Sequence, residues 1–346
     1  MKLSEVAYSH DNNFNLIRFL AAYAVLFSHC FVLVSGNGSD EPLVATLKYS
    51  LGSIAVDVFF VTSGFLITGT LLRRNNFITF FKARALRIYP ALCVVILLTV
   101  FVLGPLLTTA SLPEYFSDSG TWRYLYRNIT ILPFAGYHLL IGVFDNNPFP
   151  AIVNGSLWTL PAELASYIAV ALLWLFCSKR FRSPKKAMAL FTVALTLMLL
   201  TYFYLSKLGI LPPKNVFRLY FYFFAGASLF LLAEIITLDH LKASFVGFVL
   251  LAASIFTDKF YYFYMPLMIY LTMYFAYVPG GILRKFNLVG DYSYGIYIYA
   301  FPVQQSLIFL IPDISIFEMI IYASIITMSC AVLSWHLIEK KALSYK

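Results

Sequence analysis

The amino-acid sequence predicts an all-α membrane protein, a polytopic bundle of about ten transmembrane helices with both termini cytoplasmic. Three observations predict it. The chain of 346 residues is 61% hydrophobic and only 12% charged, where a soluble domain carries about 25% charged residues. Its apolar residues gather in runs near the ~20 residues that cross hydrocarbon. Its cations divide unevenly between alternate loops, as the positive-inside rule requires. Aromatic residues reach 18%, with 34 Phe and 25 Tyr, and this much apolar area must face lipid.

The predicted spans are 14–34, 51–72, 88–109, 156–177, 187–206, 216–236, 242–257, 260–278, 291–311 and 315–336. Arg18 interrupts the first apolar run and no small-x-small site follows it, so this run is expected to be a retained helix and not a cleaved signal. The second run holds Ser63-Gly64 and Gly69, whose smallness lets helix backbones approach. A basic cytoplasmic loop, FFKARALRIYP, precedes the third. Between the third and fourth lies the largest external segment, 110–155, rich in Pro, Asn and aromatics, and a loop of that length is often functional. The runs on either side of Asp258-Lys259 are short enough to form one hairpin in place of two full crossings.

With the N-terminus cytoplasmic, the inner loops hold Arg73, Arg74, Lys82, Arg84, Arg87, Lys179, Arg180, Arg182, Lys185, Lys186, Arg284, Lys285, Lys340 and Lys341. The outer loops hold Lys48, Arg123, Arg127, Lys207, Lys214 and Lys259. The net charge of +9 is therefore spread over short loops and does not form a nucleic-acid patch. Cys30, Cys93, Cys177 and Cys330 lie in or beside apolar runs, form no CxxC pair and read as packing residues. No internal repeat is visible. The expectation is one membrane domain over 1–346 with no appended soluble domain.

Polar groups inside apolar spans are expensive and point to function. In the first span Arg18 and His29 are eleven residues apart. That is about three turns, which puts them on nearly one face, ~16 Å apart along the axis. Asp57 in the second span and Glu163 in the fourth fall at the depth of His29, ~7–11 Å below the outer boundary. An imidazole and two carboxylates at one level suit general-base chemistry, with a carboxylate orienting the ring. Arg84 and Arg87 are i,i+3 neighbours if their loop is helical, and two guanidiniums together can clamp a phosphate. Asn154, Ser156 and Trp158, in the stretch NGSLW, are candidate acceptor contacts, and Trp122 and Trp158 can stack on sugar rings. No metal site is expected. A transporter or flippase would also use intramembrane charges, and its usual repeats are not found. No His has an Asp five residues on, so the His-x4-Asp pattern of glycerolipid acyltransferases is absent. An acceptor that is itself a lipid remains open.

The segments NLIRFLAAYAVLFSHC (15–30), GSIAVDVFFVTSGFLI (52–67), FKARALRIYPAL (81–92), NGSLWTLPAELASY (154–167), DYSYGIYIYAFPVQQ (291–305) and the terminal WHLIEK together resemble the membrane-bound acyltransferase-3 family. That family includes bacterial O-antigen and exopolysaccharide O-acetyltransferases. The segments occur in family order over nearly the whole chain. The resemblance implies a ten-helix domain in a bacterial cytoplasmic membrane. It takes an acyl group, usually acetyl, from cytoplasmic acyl-CoA and passes it to a hydroxyl of a glycan or lipid-linked glycan at the outer face. It also implies a catalytic His29 with Arg18 as its partner. Arg84 and Arg87 then hold the phosphates of the CoA, and Asp57 and Glu163 are the acidic motif positions. Two departures stand out: Ala300 occupies a position where many relatives have His, and Glu339-Lys340-Lys341 replaces the usual Glu-x-Pro.

Overall fold

The computed structural model describes residues 1–74, 76–131, 138–257 and 260–346. Among them the chain is helical, without a named strand. We label the main helices α1 (Phe14–Ser35), α2 (Leu51–Arg74), α3 (Phe77–Leu107), α4 (Gly155–Arg180), α5 (Pro184–Lys207), α6 (Asn215–Leu231), α7 (His240–Phe256), α8 (Phe260–Tyr277), α9 (Ser293–Leu310) and α10 (Ile316–Leu343). Six of these, α1 to α5 and α10, are long and apolar enough to cross a membrane. α6 and α7 are apolar but shorter, and α8 meets the short helical stretch Gly281–Leu288 at a bend of 82°. The chain is thus a helical multi-pass membrane protein.

Two expected boundaries move. The third span was expected to begin at 88 after a basic loop, but α3 already starts at Phe77 and carries Arg84 and Arg87 on its first turns. The Asn76 side chain caps that start by accepting from the Thr79 N–H, so the basic stretch is helical from its first residue. α6 stops at Leu231, short of the expected 236. The Leu3 and Ser4 amides donate to the Ile236 and Ala233 carbonyls at 2.9 and 3.0 Å. Asp258 and Lys259, which divide the shortest predicted pair, lie outside the described residues.

α2 and α9 form the middle of the bundle. α2 meets α6 where glycines let the backbones touch: a Cβ on Gly64 would sit 1.9 Å from the Phe223 carbonyl, and one on Gly226 would sit 2.1 Å from that of Val61. α9 is buried along almost its whole length, including Gln304 and Gln305.

Proline explains two further joints. Pro302 in α9 has no N–H, which frees the Ile298 carbonyl four residues back. The Asn154 side chain fills that place, donating to it at 2.9 Å. Pro266 in α8 frees Tyr262 in the same way, and the Tyr204 hydroxyl donates there at 2.9 Å. Asn147 donates to the carbonyl of Gln305 at 3.0 Å, and Gln305 donates to those of Phe149 and Ile152, both at 2.8 Å. The 110–155 segment contains the short helices Leu112–Ser117 and Ser119–Thr130, and its last part, from Asn147 to Asn154, is tied by these bonds to α9.

Candidate active site

A cavity of about 260 Å3 opens between α1, α2, α3, α4, α9 and the end of α10. Arg18, Arg84, Arg87, Asp291, Trp335 and Lys346 line one end. Ion pairs gather this end. Arg87 bridges Asp291 at 2.5 Å and Glu339 at 3.4 Å, and Arg18 reaches the same Asp291 at 3.2 Å. Val56, Phe59, Thr159, Leu160 and Tyr297 line the other end. These belong to the early turns of α2, to the start of α4 and to the second turn of α9, so the cavity runs into the bundle.

Glu163 lies in the cavity wall with Ser63 and Tyr167. The Tyr167 hydroxyl donates to the Glu163 carboxylate, and the Ser63 hydroxyl donates to the same oxygen at 3.4 Å. The Ser63 and Tyr167 oxygens are 3.1 Å apart. Arg84 shares this wall. It has no carboxylate partner among the described residues, and its buried Nε has no hydrogen-bond partner there.

His29 lies beyond the deep end. Its ring meets the edge of Phe301 with centroids 5.2 Å apart, and its buried Nδ1 has no partner among the described residues. Tyr297, in the cavity wall, is one helical turn before Phe301 on α9. The same Phe301 ring packs on Gly155, where a Cβ would come within 2.6 Å of it. Phe301 thus joins His29 to the NGSLW segment.

The structure does not assemble the expected His29–Asp57–Glu163 group. Asp57 faces away from the cavity lining, toward α6 and α8. Arg218 pairs with it at 3.1 Å, the Tyr264 hydroxyl donates to it at 3.2 Å, and Tyr49 donates to it as well. The expected common depth does not hold either: Glu163 meets Ser63, six residues further along α2 than Asp57, while Ser28, next to His29, lies against Gly52 in the first turn of α2. Arg18 and His29 likewise separate, Arg18 into the basic end and His29 against Phe301. Arg84 and Arg87 do line one cavity, but unequally, since two carboxylates engage Arg87.

Of the expected acceptor contacts, Asn154 is spent on the Ile298 carbonyl, with its Oδ1 unpartnered. The hydroxyl of Ser156 is buried and likewise unpartnered among the described residues. Trp158 is 39% exposed. Trp122 is half-exposed, and its indole N–H donates to the Phe116 carbonyl at 2.8 Å. No cluster of three or more His, Cys, Asp or Glu side chains suited to a metal occurs among the described residues.

Sequence reasoning missed Arg218, Asp291 and Glu339 as partners and Tyr167 as the residue that holds Glu163. Arg218 was findable, because a lone cation in the run VFRLYFYFF is as expensive in a membrane as Asp57 is. Asp291 was visible as the lone carboxylate opening α9.

The family model described as an acyltransferase domain (acyltransferase-3) matches residues 11–338. The chain is similar to the O-acetyl transferase of Shigella phage Sf6, 31% identical over 349 residues, covering 96% of each protein. It is similar to Nodulation protein 10 of Rhizobium leguminosarum bv. viciae, 27% identical over 378 residues, covering 99% of this chain and 96% of that protein. It is also similar to an uncharacterized protein of Haemophilus influenzae, 30% identical over 175 residues, covering 47% of this chain and 67% of that one. No solved structure matches. The family match includes Arg18, Arg84, Arg87 and His29, and the chain belongs to the acyltransferase-3 family, as an acyltransferase that moves groups other than aminoacyl groups.

Proposed function

We propose that this protein is a membrane O-acyltransferase that moves an acyl group, acetyl foremost, from cytoplasmic acyl-CoA to a hydroxyl of a cell-surface glycan such as O-antigen, capsule or exopolysaccharide. The similarity to the phage O-acetyl transferase supports the reaction class. One geometric observation carries the reading. A single cavity has cations at one end, and its other end is a helical turn from the ring that packs on His29.

Arg18, Arg84 and Arg87 fit a phosphorylated donor, because a buried guanidinium N–H without an acceptor at that end calls for an anion. A bound acyl-CoA supplies an acyl group already activated as a thioester. The apolar walls given by Val56, Phe59, Phe60, Leu66 and Ile67 suit a slender arm and exclude water from it. His29 acts as general base, taking the proton of the acceptor hydroxyl as that oxygen attacks the acyl carbon; the C–S bond of the thioester breaks, and the CoA sulfur leaves and takes up the proton that the imidazolium releases. Glu163, held by Tyr167 and Ser63, acts at mid-cavity, and Asp57 acts through Arg218 on the shape of the bundle. Ser156 and Trp158 lie on the segment joined to His29 through Phe301, and there they contact the acceptor.

This reading places ten helices across a bacterial cytoplasmic membrane with both termini cytoplasmic, so that the basic end of the cavity meets the donor. Surface glycan from wild type, a deletion and His29→Ala, with membrane levels matched, is compared by NMR and mass spectrometry. Loss of an O-acyl signal in both mutants, restored by wild type, is expected. Full acylation with His29→Ala excludes the base assignment. Full acylation in the deletion excludes the reaction.

A further inference from the structure

Four cations line the basic end of the cavity: Arg18, Arg84, Arg87 and Lys346. They are not equivalent. Arg87 is engaged by Asp291 and Glu339, and Arg18 by Asp291. Arg84 and Lys346 form no ion pair among the described residues. We infer that Arg84 and Lys346 are the direct contacts to the phosphates at the nucleotide end of the donor, while Arg87 and Arg18 are positioning residues that hold the mouth together. The inference rests on the acyl-CoA reading above and departs from the simple Arg84–Arg87 clamp.

Lys346 is far from Arg84 in sequence, so something must bring it there. α10 passes through a π-helical turn at Trp335–Glu339 and continues to Leu343. Within that turn Glu339 pairs with Arg87 at 3.4 Å, and the Ser334 hydroxyl donates to Glu339 at 2.9 Å. The Arg87 guanidinium also lies 5.9 Å from the Trp335 ring centroid. These contacts fasten the end of α10 onto α3. Leu343 and Lys346 then line the same cavity as Arg84. The role of Arg87 is thus to spend its charge on the fastening, which leaves Arg84 and Lys346 to an incoming anion.

The field at this place agrees. Partial burial first, then Arg84, Arg74, Arg87 and Arg73, lower the Lys346 ammonium from its usual value to about 8. A dianionic phosphate there would relieve the crowding of positive charge.

The test uses the full chain purified in detergent and isothermal titration calorimetry at pH 7. The probes are CoA, dephospho-CoA and 3′,5′-ADP, which carries the nucleotide end without the thiol arm. Wild type is expected to bind CoA and 3′,5′-ADP. Lys346→Gln should weaken both about tenfold, the loss of one charge-assisted hydrogen bond. Lys346→Arg should retain binding. Lys346→Gln and Arg84→Gln should each narrow the preference for CoA over dephospho-CoA, a readout that a general loss of folding would not move. Wild-type affinity for 3′,5′-ADP should fall between pH 7 and 9 as Lys346 loses its proton, and the fall should be smaller with Lys346→Arg. If wild type binds and Lys346→Gln binds equally, this inference fails while the donor reading stands. If wild type binds neither CoA nor 3′,5′-ADP, the donor reading fails and takes the inference with it.

Discussion

At the scale of single residues, the chemistry turns on which charges have partners. Asp57 is fully buried and meets Arg218, Tyr49 and Tyr264. Removing one partner of such a pair strands the other charge, which costs about 3–5 kcal/mol, whereas replacing both can be nearly neutral. Asp57→Ala should therefore lower the thermal midpoint sharply, and Asp57→Ala with Arg218→Met should recover most of the loss. Melts of the detergent-solubilised protein, followed by tryptophan fluorescence, report this directly. A double variant as unstable as the single one would show that Asp57 works through some other neighbour. Glu163 behaves differently, since Tyr167 and Ser63 hold its carboxylate by neutral hydrogen bonds inside the cavity wall.

At the scale of helices, proline decides where loops attach. Pro302 leaves the Ile298 carbonyl open, and Asn154 closes it. Leaving a buried carbonyl unsatisfied costs about 1–3 kcal/mol. Asn154→Ala should cost that much in the wild type. In a Pro302→Ala background, where the restored N–H reaches Ile298, the same change should cost much less. A double-mutant cycle of melting midpoints reads the coupling; equal costs in both backgrounds would sever Asn154 from the proline. Because Asn154 adjoins Gly155, which packs on the ring beside His29, its loss should also lower acylation beyond the loss of stability. α3 makes the complementary point. It is already α-helical from Phe77 to Leu98, so Arg84 and Arg87 stand on a helix, which positions them more closely than a loop would.

At the scale of the whole molecule, the cavity lies where α1, α2, α3, α4, α9 and α10 converge, and its orientation follows from the membrane topology. With the proposed topology, an impermeant maleimide applied to intact cells should label Ser119→Cys, in the 110–155 segment, and not Ser344→Cys, beside the basic mouth. Labelling of Ser344→Cys from outside would invert the molecule and separate the cations from a cytoplasmic donor.

The helical membrane class was legible because it depends on local composition. Runs of ~20 apolar residues can be satisfied in hydrocarbon only as helices. His29, Asp57, Glu163, Arg18, Arg84 and Arg87 were legible as polar groups where lipid should be, and family order along the chain identified the reaction class. Partnership was not legible. Asp57 and Arg218 are 161 positions apart, and Arg87 and Asp291 are 204 apart. The place of a residue along its own helix follows from counting, but the offset of one helix against the next and the azimuth at which a side chain leaves it are set only once neighbouring helices are packed. By itself, the sequence determined the class, the place of each charge along its own helix and the family. Only the tertiary structure decided that Asp57 answers to Arg218, that Arg87 is spent on Asp291 and Glu339, and that Arg84 and Lys346 face an open cavity. The physical reason is that a buried charge is stabilised by whatever the packing brings within a few ångströms, and that choice is made between helices, not along them.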